Sequence, residues 1–150
     1  MVIDASAIVA LLSREPEAED LKDCLDAAAN RLVSPLAVYE AAVSFARSRL
    51  GPNPKRKSTP DEIRAAFALV SEFIVINGVK AIPITPEMAA LAIEAAAVFG
   101  KAVGHPADLN FGDCFAYACA KAHRASLLFK GDDFPLTNIE LAAPRRARPR

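Results

Sequence analysis

Five acidic residues sit where a short apolar run has just ended or a helical pattern has just begun. Asp4 follows Met1-Val2-Ile3, and Glu40 lies in the second turn of the helical pattern after Leu32-Val33. Asp113 opens the helical stretch before Ser126-Leu127-Leu128-Phe129, and Asp132 and Asp133 follow that run after Lys130-Gly131. Carboxylates that converge in a low-dielectric cleft repel one another, so either some keep a proton or a cation neutralises them. Mg²⁺, with Mn²⁺ as a substitute, prefers oxygen ligands and commonly shares the phosphate oxygens of a substrate. Other chemistries lack their residues. The chain shows no nucleophilic triad and no phosphate-cradling glycine loop, and its two histidines, His105 and His123, are too scattered for a His metal site. Cys24, Cys114 and Cys119 form no CxxC pair and read as buried free thiols of a reducing compartment.

Each acid also has a plain structural use. Asp4 suits the N-cap of a helix starting near Ser6, Glu40 a solvent-facing helix position, Asp113 a first turn favoured by the helix dipole, and Asp132-Asp133 a turn. Taken singly, the residues leave these uses open. Taken together, they favour one site.

The elements that must position them are well punctuated. Four apolar runs read as strands: Met1–Ile3, Leu32–Val33, Ala81–Ile84 and Ser126–Phe129. Between them, Ser34-Pro35, Thr59-Pro60 and Thr85-Pro86 each supply an N-cap followed by proline at the first helical position. A further helix runs from about Gly112 to Arg124. Alternating strands and helices predict right-handed crossovers and a mainly parallel sheet, a three-layer α/β/α sandwich. Ligands of such sheets bind beyond the carboxyl ends of the strands, at a topological switch point. All five acids are placed near that edge.

Size and charge bound the rest. A chain of 150 residues, 53% hydrophobic and 24% charged, fits one folded domain; residues 1–143 are expected to form it, with an Arg-rich flexible tail over 144–150. Eighteen basic and eighteen acidic residues balance, so nucleic-acid contact would fall to local patches. Lys55-Arg56-Lys57 and the tail residues Arg145, Arg146, Arg148 and Arg150 are two such patches, and each also reads as a solvated loop or a frayed end. No run is long and apolar enough to span a membrane, and the N-terminus lacks the basic region and cleavage site of a signal peptide. A cytoplasmic location is expected.

Four segments then resemble a known family. Met1-Val2-Ile3-Asp4-Ala5-Ser6-Ala7-Ile8-Val9-Ala10 is similar to the opening of PIN-domain proteins, specifically the VapC toxins of bacterial toxin–antitoxin pairs. Ser34-Pro35-Leu36-Ala37-Val38-Tyr39-Glu40, Leu109-Asn110-Phe111-Gly112-Asp113-Cys114-Phe115-Ala116-Tyr117-Ala118 and Leu127-Leu128-Phe129-Lys130-Gly131-Asp132-Asp133-Phe134 follow in the family's order. The likeness spans Met1 to about Glu140, and the third segment is the most distinctive. It implies a PIN-like fold and a divalent-metal endoribonuclease held in check by a small antitoxin.

Carried over position by position, Asp4, Glu40 and Asp113 match the family's metal-binding acids. The fourth acid falls at Asp132 or Asp133, where the family's last motif varies. Ser6 matches a hydroxyl often found beside the metal, and Asn110 a residue that orients Asp113 or a water. The basic loop around Lys55, Arg56 and Lys57 is longer than the family's usual connection; with Lys130 it is a candidate contact for RNA phosphates, which would make binding weaken with salt. The resemblance also implies homodimers. Catalysis would then be metal-assisted, in-line attack of water on a phosphodiester, leaving a 5′-phosphate and a 3′-hydroxyl. Two other classes remain in play. One is a non-catalytic Mg²⁺-binding α/β interaction module, the other a metal-dependent phosphotransfer enzyme. The dehalogenase type of the latter needs a D-x-D after the first strand, and Ser6 stands where its second Asp would be.

Overall fold

In the computed structural model, residues 1–53 and 55–142 are described. Val2–Ile3 forms the central strand β1 and pairs in parallel with β2 (Leu32–Val33) on one side and β4 (Leu127–Leu128) on the other; β3 (Lys80–Ala81) lies outside β2. The order β3-β2-β1-β4 is parallel throughout. The third strand begins one residue before the apolar run and its ladder ends at Ala81. A last bond from Ile82 N–H to the Val33 carbonyl (2.9 Å) closes it, because beyond Val33 the partner strand gives way to the helix cap at Ser34.

Side chains alternate across the strands, as the two-residue period requires. Val2 and Leu127 face one buried cluster, packed against α5 (Pro86–Phe99) and α6 (Phe111–Ala122). Ile3, Val33 and Leu128 face the other, formed with α1 (Ala5–Ser13), α2 (Ala18–Ala27), α3 (Pro35–Ser48) and α4 (Pro60–Ile76). Burying each large core side chain contributes about 1.5–3 kcal/mol before entropy is counted. The result is the α/β/α sandwich that the alternation of strands and helices predicted. All three cysteines are free and buried, and no helix among the described residues is long and apolar enough to cross a membrane.

The caps form as their residues dictate. Ser34 and Thr85 accept from Ala37 and Met88 N–H, and Thr59 with Glu62 completes a capping box. Helix α2 was not singled out by its spacing. Leu21, Cys24 and Leu25 make a narrow buried stripe among charged neighbours, too thin for periodicity to stand out.

The topology creates one special place. From β1 the chain moves outward to β2 and β3 with its helices on one face, then returns by α5 and α6 to β4 on the other side of β1. The carboxyl ends of β1 and β4 therefore form the switch point, where crossovers diverge and leave a crevice.

Candidate active site: carboxylates at the switch point

Asp4 leaves the end of β1 with its backbone N–H bonded to the Leu128 carbonyl at 2.9 Å. Its side chain caps α1: Oδ2 accepts from the Ser6 N–H at 2.9 Å and from the Ser6 hydroxyl at 2.5 Å. That Ser6 Oγ in turn accepts from the Lys130 N–H at 3.0 Å, so one hydroxyl ties Asp4 to the loop after β4. Asp4 is only 5% exposed. Burial raises its pKa and the Asp133 charge adds to the rise, while the hydrogen bonds from Ser6 and Ala5 oppose it. The cap and the site share one carboxylate, and both bonds from Ser6 end on its Oδ2.

Glu40 reaches the same place from α3, half-buried against the first turn of α6. The closeness of that approach is set by Gly112: a Cβ at this position would collide with the Glu40 carboxylate. Asp113, one residue on, is the third residue of α6 and completes a capping box with Asn110. Its Oδ2 accepts the Asn110 N–H at 2.8 Å, and the Asn110 side chain accepts the Asp113 N–H at 3.1 Å. Burial, helped by the charges of Asp4, Asp133 and Glu40, pushes the Asp113 carboxyl up to about 7 against the pull of the Asn110 bond. Glu40 is also raised, first by burial and then by Asp4.

These groups line a cleft of about 350 Å³ that also includes Ser6, Glu15, Ser44, Asn110, Lys130, Asp133 and Phe134. The structure separates the aspartate pair. Asp133 is in the cleft, whereas Asp132 lines a neighbouring cavity of about 440 Å³ with Glu17, Asp20 and Lys130. Gly131, at φ 119° between Lys130 and the pair, takes a turn that L side chains rarely adopt. Asp132 therefore does not share the site with Asp4, Glu40 and Asp113.

Five carboxylates line the cleft; Glu15 pairs with Lys130, and the other four, three of them raised by burial and mutual repulsion, form a donor set for a hard cation. The chain's own ammonium does not serve: Lys130 pairs with Glu15 and, at 3.6 Å, with Glu17. Among the described residues no three His, Cys, Asp or Glu side chains already form a closed cage. Mg²⁺ does not require one, because it typically binds through one or two carboxylates and keeps several waters.

The PIN domain family model matches residues 1–139. The chain belongs to the PIN-domain family. Within it, the chain is 40% identical over 138 residues to a VapC ribonuclease of Rhizobium meliloti (strain 1021), covering 91% of this chain and 97% of that protein. It is 38% identical over 146 residues to ribonuclease VapC28 of Mycobacterium tuberculosis, covering 97% and 100%. This PIN domain is thus of the VapC type. In fold it is similar to the crystal structure of Mycobacterium tuberculosis VapC20, described as a sarcin-ricin loop cleaving toxin; the TM-score is 0.68 at 16% identity, over 95% of this chain and 98% of that one.

The basic residues expected at RNA fare unevenly in this PIN domain. Lys130, as noted, is turned to Glu15 and Glu17. Arg56 donates to the Leu50 carbonyl and pairs with Glu62, while Lys55 and Lys57 are exposed beyond the far end of α3 from Glu40. The arginines at 145, 146, 148 and 150 lie outside the described residues. Gly112 is a site residue that the search for chemical groups passed over. Its signal was a glycine in the first turn of a helix, where alanine would otherwise be preferred.

Proposed function

We propose that the chain is a Mg²⁺-dependent endoribonuclease, the toxin of a toxin–antitoxin pair, with Mn²⁺ able to replace Mg²⁺. The observation that carries this is the convergence of Asp4, Glu40, Asp113 and Asp133 in the switch-point cleft, where burial raises the first three, a charge conflict that an added cation resolves. VapC ribonucleases at 38–40% identity over nearly the whole chain support the RNA substrate.

Asp4 and Asp113 would be direct ligands, with Glu40 and Asp133 orienting waters at the rim. When bound, the ion supplies charge neutralisation for the acids and the scissile phosphate, and makes water more acidic. Ser6 keeps Asp4 oriented and couples it to the loop of Asp133. Asn110 does the same for Asp113. The repulsion among the acids, unfavourable without a cation, then becomes selectivity for one.

The cognate antitoxin would lay an apolar helix over the cleft and place an arginine among the carboxylates, since a guanidinium pairs well with them. Homodimers and a cytoplasmic location belong to the same reading. The test is cleavage of a structured RNA, with DNA alongside, in Mg²⁺, in Mn²⁺ and in EDTA. RNA cleavage that depends on the ion and disappears in Asp4→Asn and Asp113→Asn supports the reading. Binding of metal with RNA left intact at high protein concentration would make the chain an interaction module instead. As a toxin it should arrest growth when expressed alone and be relieved by a small adjacent protein.

A further inference from the structure

An anionic cleft needs help to hold a polyanion, and neither Lys130 nor Arg56 is free to give it. We infer that the recess between the C-terminal ends of α1 and α3, carrying Arg14 and Arg49, grips the phosphates of the RNA strand next to the cut. The inference rests on the ribonuclease reading above and adds where the substrate lies.

Both helices start at the same sheet edge, α1 with Asp4 at its cap and α3 with Glu40 in its second turn, and they pack side by side. Arg14 caps the end of α1 and Arg49 the end of α3. At 1.5 Å rise per residue, each lies about 14 Å along its helix from the acid at the other end. Together with Ser13 and Ser48 they line a recess of about 640 Å³, and Glu15 lines both this recess and the acidic cleft, so the two adjoin at that residue.

Neither arginine has a carboxylate partner among the described residues, and residues 143–150 contain no Asp or Glu. Both side chains are exposed, and the Arg49 guanidinium lies 5.5 Å from the Phe45 ring centroid, which limits its freedom. Arg14 holds its place in left-handed backbone, φ 53°, where glycine would sit without strain. Arginine at a helix C-terminus also suits the helix dipole. That role shows in stability and leaves RNA affinity untouched.

The experiment uses full-length Asp113→Asn protein, which should bind RNA without cutting it, and a labelled single-stranded RNA titrated at several salt concentrations. Arg14→Gln and Arg49→Gln together should weaken binding roughly tenfold, and should flatten log K against log salt by about 1.4, the loss of two phosphate contacts on a single strand. Arg124→Gln serves as control, since Arg124 has the same backbone conformation (φ 48°) but follows α6 at its end away from the cleft. In the otherwise native chain the double variant should raise KM for cleavage and leave kcat unchanged. Arg14→Gly, which relieves the backbone, should keep Tm while losing affinity. An unchanged salt slope, or an equal effect from Arg124→Gln, overturns the inference. So does loss of binding to poly-glutamate with RNA binding intact, which would make the recess a docking site for an acidic protein. If the native chain never cleaves RNA yet the slope still falls, the catalytic reading fails and the phosphate track stands.

Discussion

Around Lys130 the chain gathers Glu15, Glu17, Asp20 and Asp132; around Asp4 it gathers Glu40, Asp113 and Asp133. The two acidic regions adjoin: Lys130 stands in the walls of both, and its partner Glu15 lines the second. In the first, the ammonium pairs with Glu15 and Glu17, and those carboxylates raise its pKa. In the second, no cation among the described residues pairs with Asp4, Glu40, Asp113 or Asp133, and burial raises three of them. Acidic composition is therefore not the mark of a site. What distinguishes the cleft is a charge left uncompensated at a place where burial makes that costly.

The largest expected effect follows directly. Asp113→Asn removes the most perturbed acid of the uncompensated set and should lower RNA cleavage by roughly a thousandfold or more, as loss of transition-state charge stabilisation commonly does, with the fold intact. Asp20→Asn, in the compensated region, should leave cleavage within about twofold. Single-turnover rates at saturating RNA decide it, and comparable losses from the two would erase the distinction.

Next comes Gly112→Ala. The methyl group must displace the Glu40 carboxylate, a flexible side-chain end, so the protein should fold normally. A misplacement near 1 Å in a catalytic constellation costs on the order of a hundredfold. Cleavage should fall by roughly 10- to 100-fold with Tm unchanged or higher, since alanine favours helix over glycine. Full activity in this variant would remove Glu40 from the chemistry.

Asp133→Asn should cost roughly tenfold, in keeping with a group that orients water at the rim, and Asp132→Asn no more than about twofold. Equal losses would mean that the loop after Gly131 rearranges when substrate arrives. The same pair shows where sequence reasoning stops. Asp4, Glu40 and Asp113 were legible because strand ends in a parallel sheet meet at one edge, and three local patterns sufficed to find those ends. The choice between Asp132 and Asp133 rests on the turn at Gly131, which no periodicity encodes. Lys130 looked like a phosphate contact because its partners Glu15 and Glu17 lie more than a hundred positions away in the chain. Helix α2 stayed hidden because only three of its residues are buried, and β3 was read one residue late because an apolar run does not announce where its hydrogen bonds stop.

The smallest effect concerns stability, and here the two regions should behave differently with pH. A carboxyl raised from 3.8 to about 7, as for Asp113, binds its proton more tightly in the folded chain than in the unfolded one. Stability from that group is fully present below the unfolded value and is lost as pH rises through about 7; Asp4 and Glu40 act in the same direction. Lys130 is raised as well, but from 10.5, so its contribution stays constant across this window and fades only in strong alkali. In EDTA, Tm should therefore fall by a few degrees between pH 5 and pH 8, at about 2–4 °C per kcal/mol for a domain near this size. Asp113→Asn should flatten the fall, while Lys130→Gln should leave its slope unchanged. Mg²⁺ binds the deprotonated acids and should restore Tm chiefly above pH 7. A slope in Asp113→Asn as steep as in the native chain would mean that the cleft acids do not conflict.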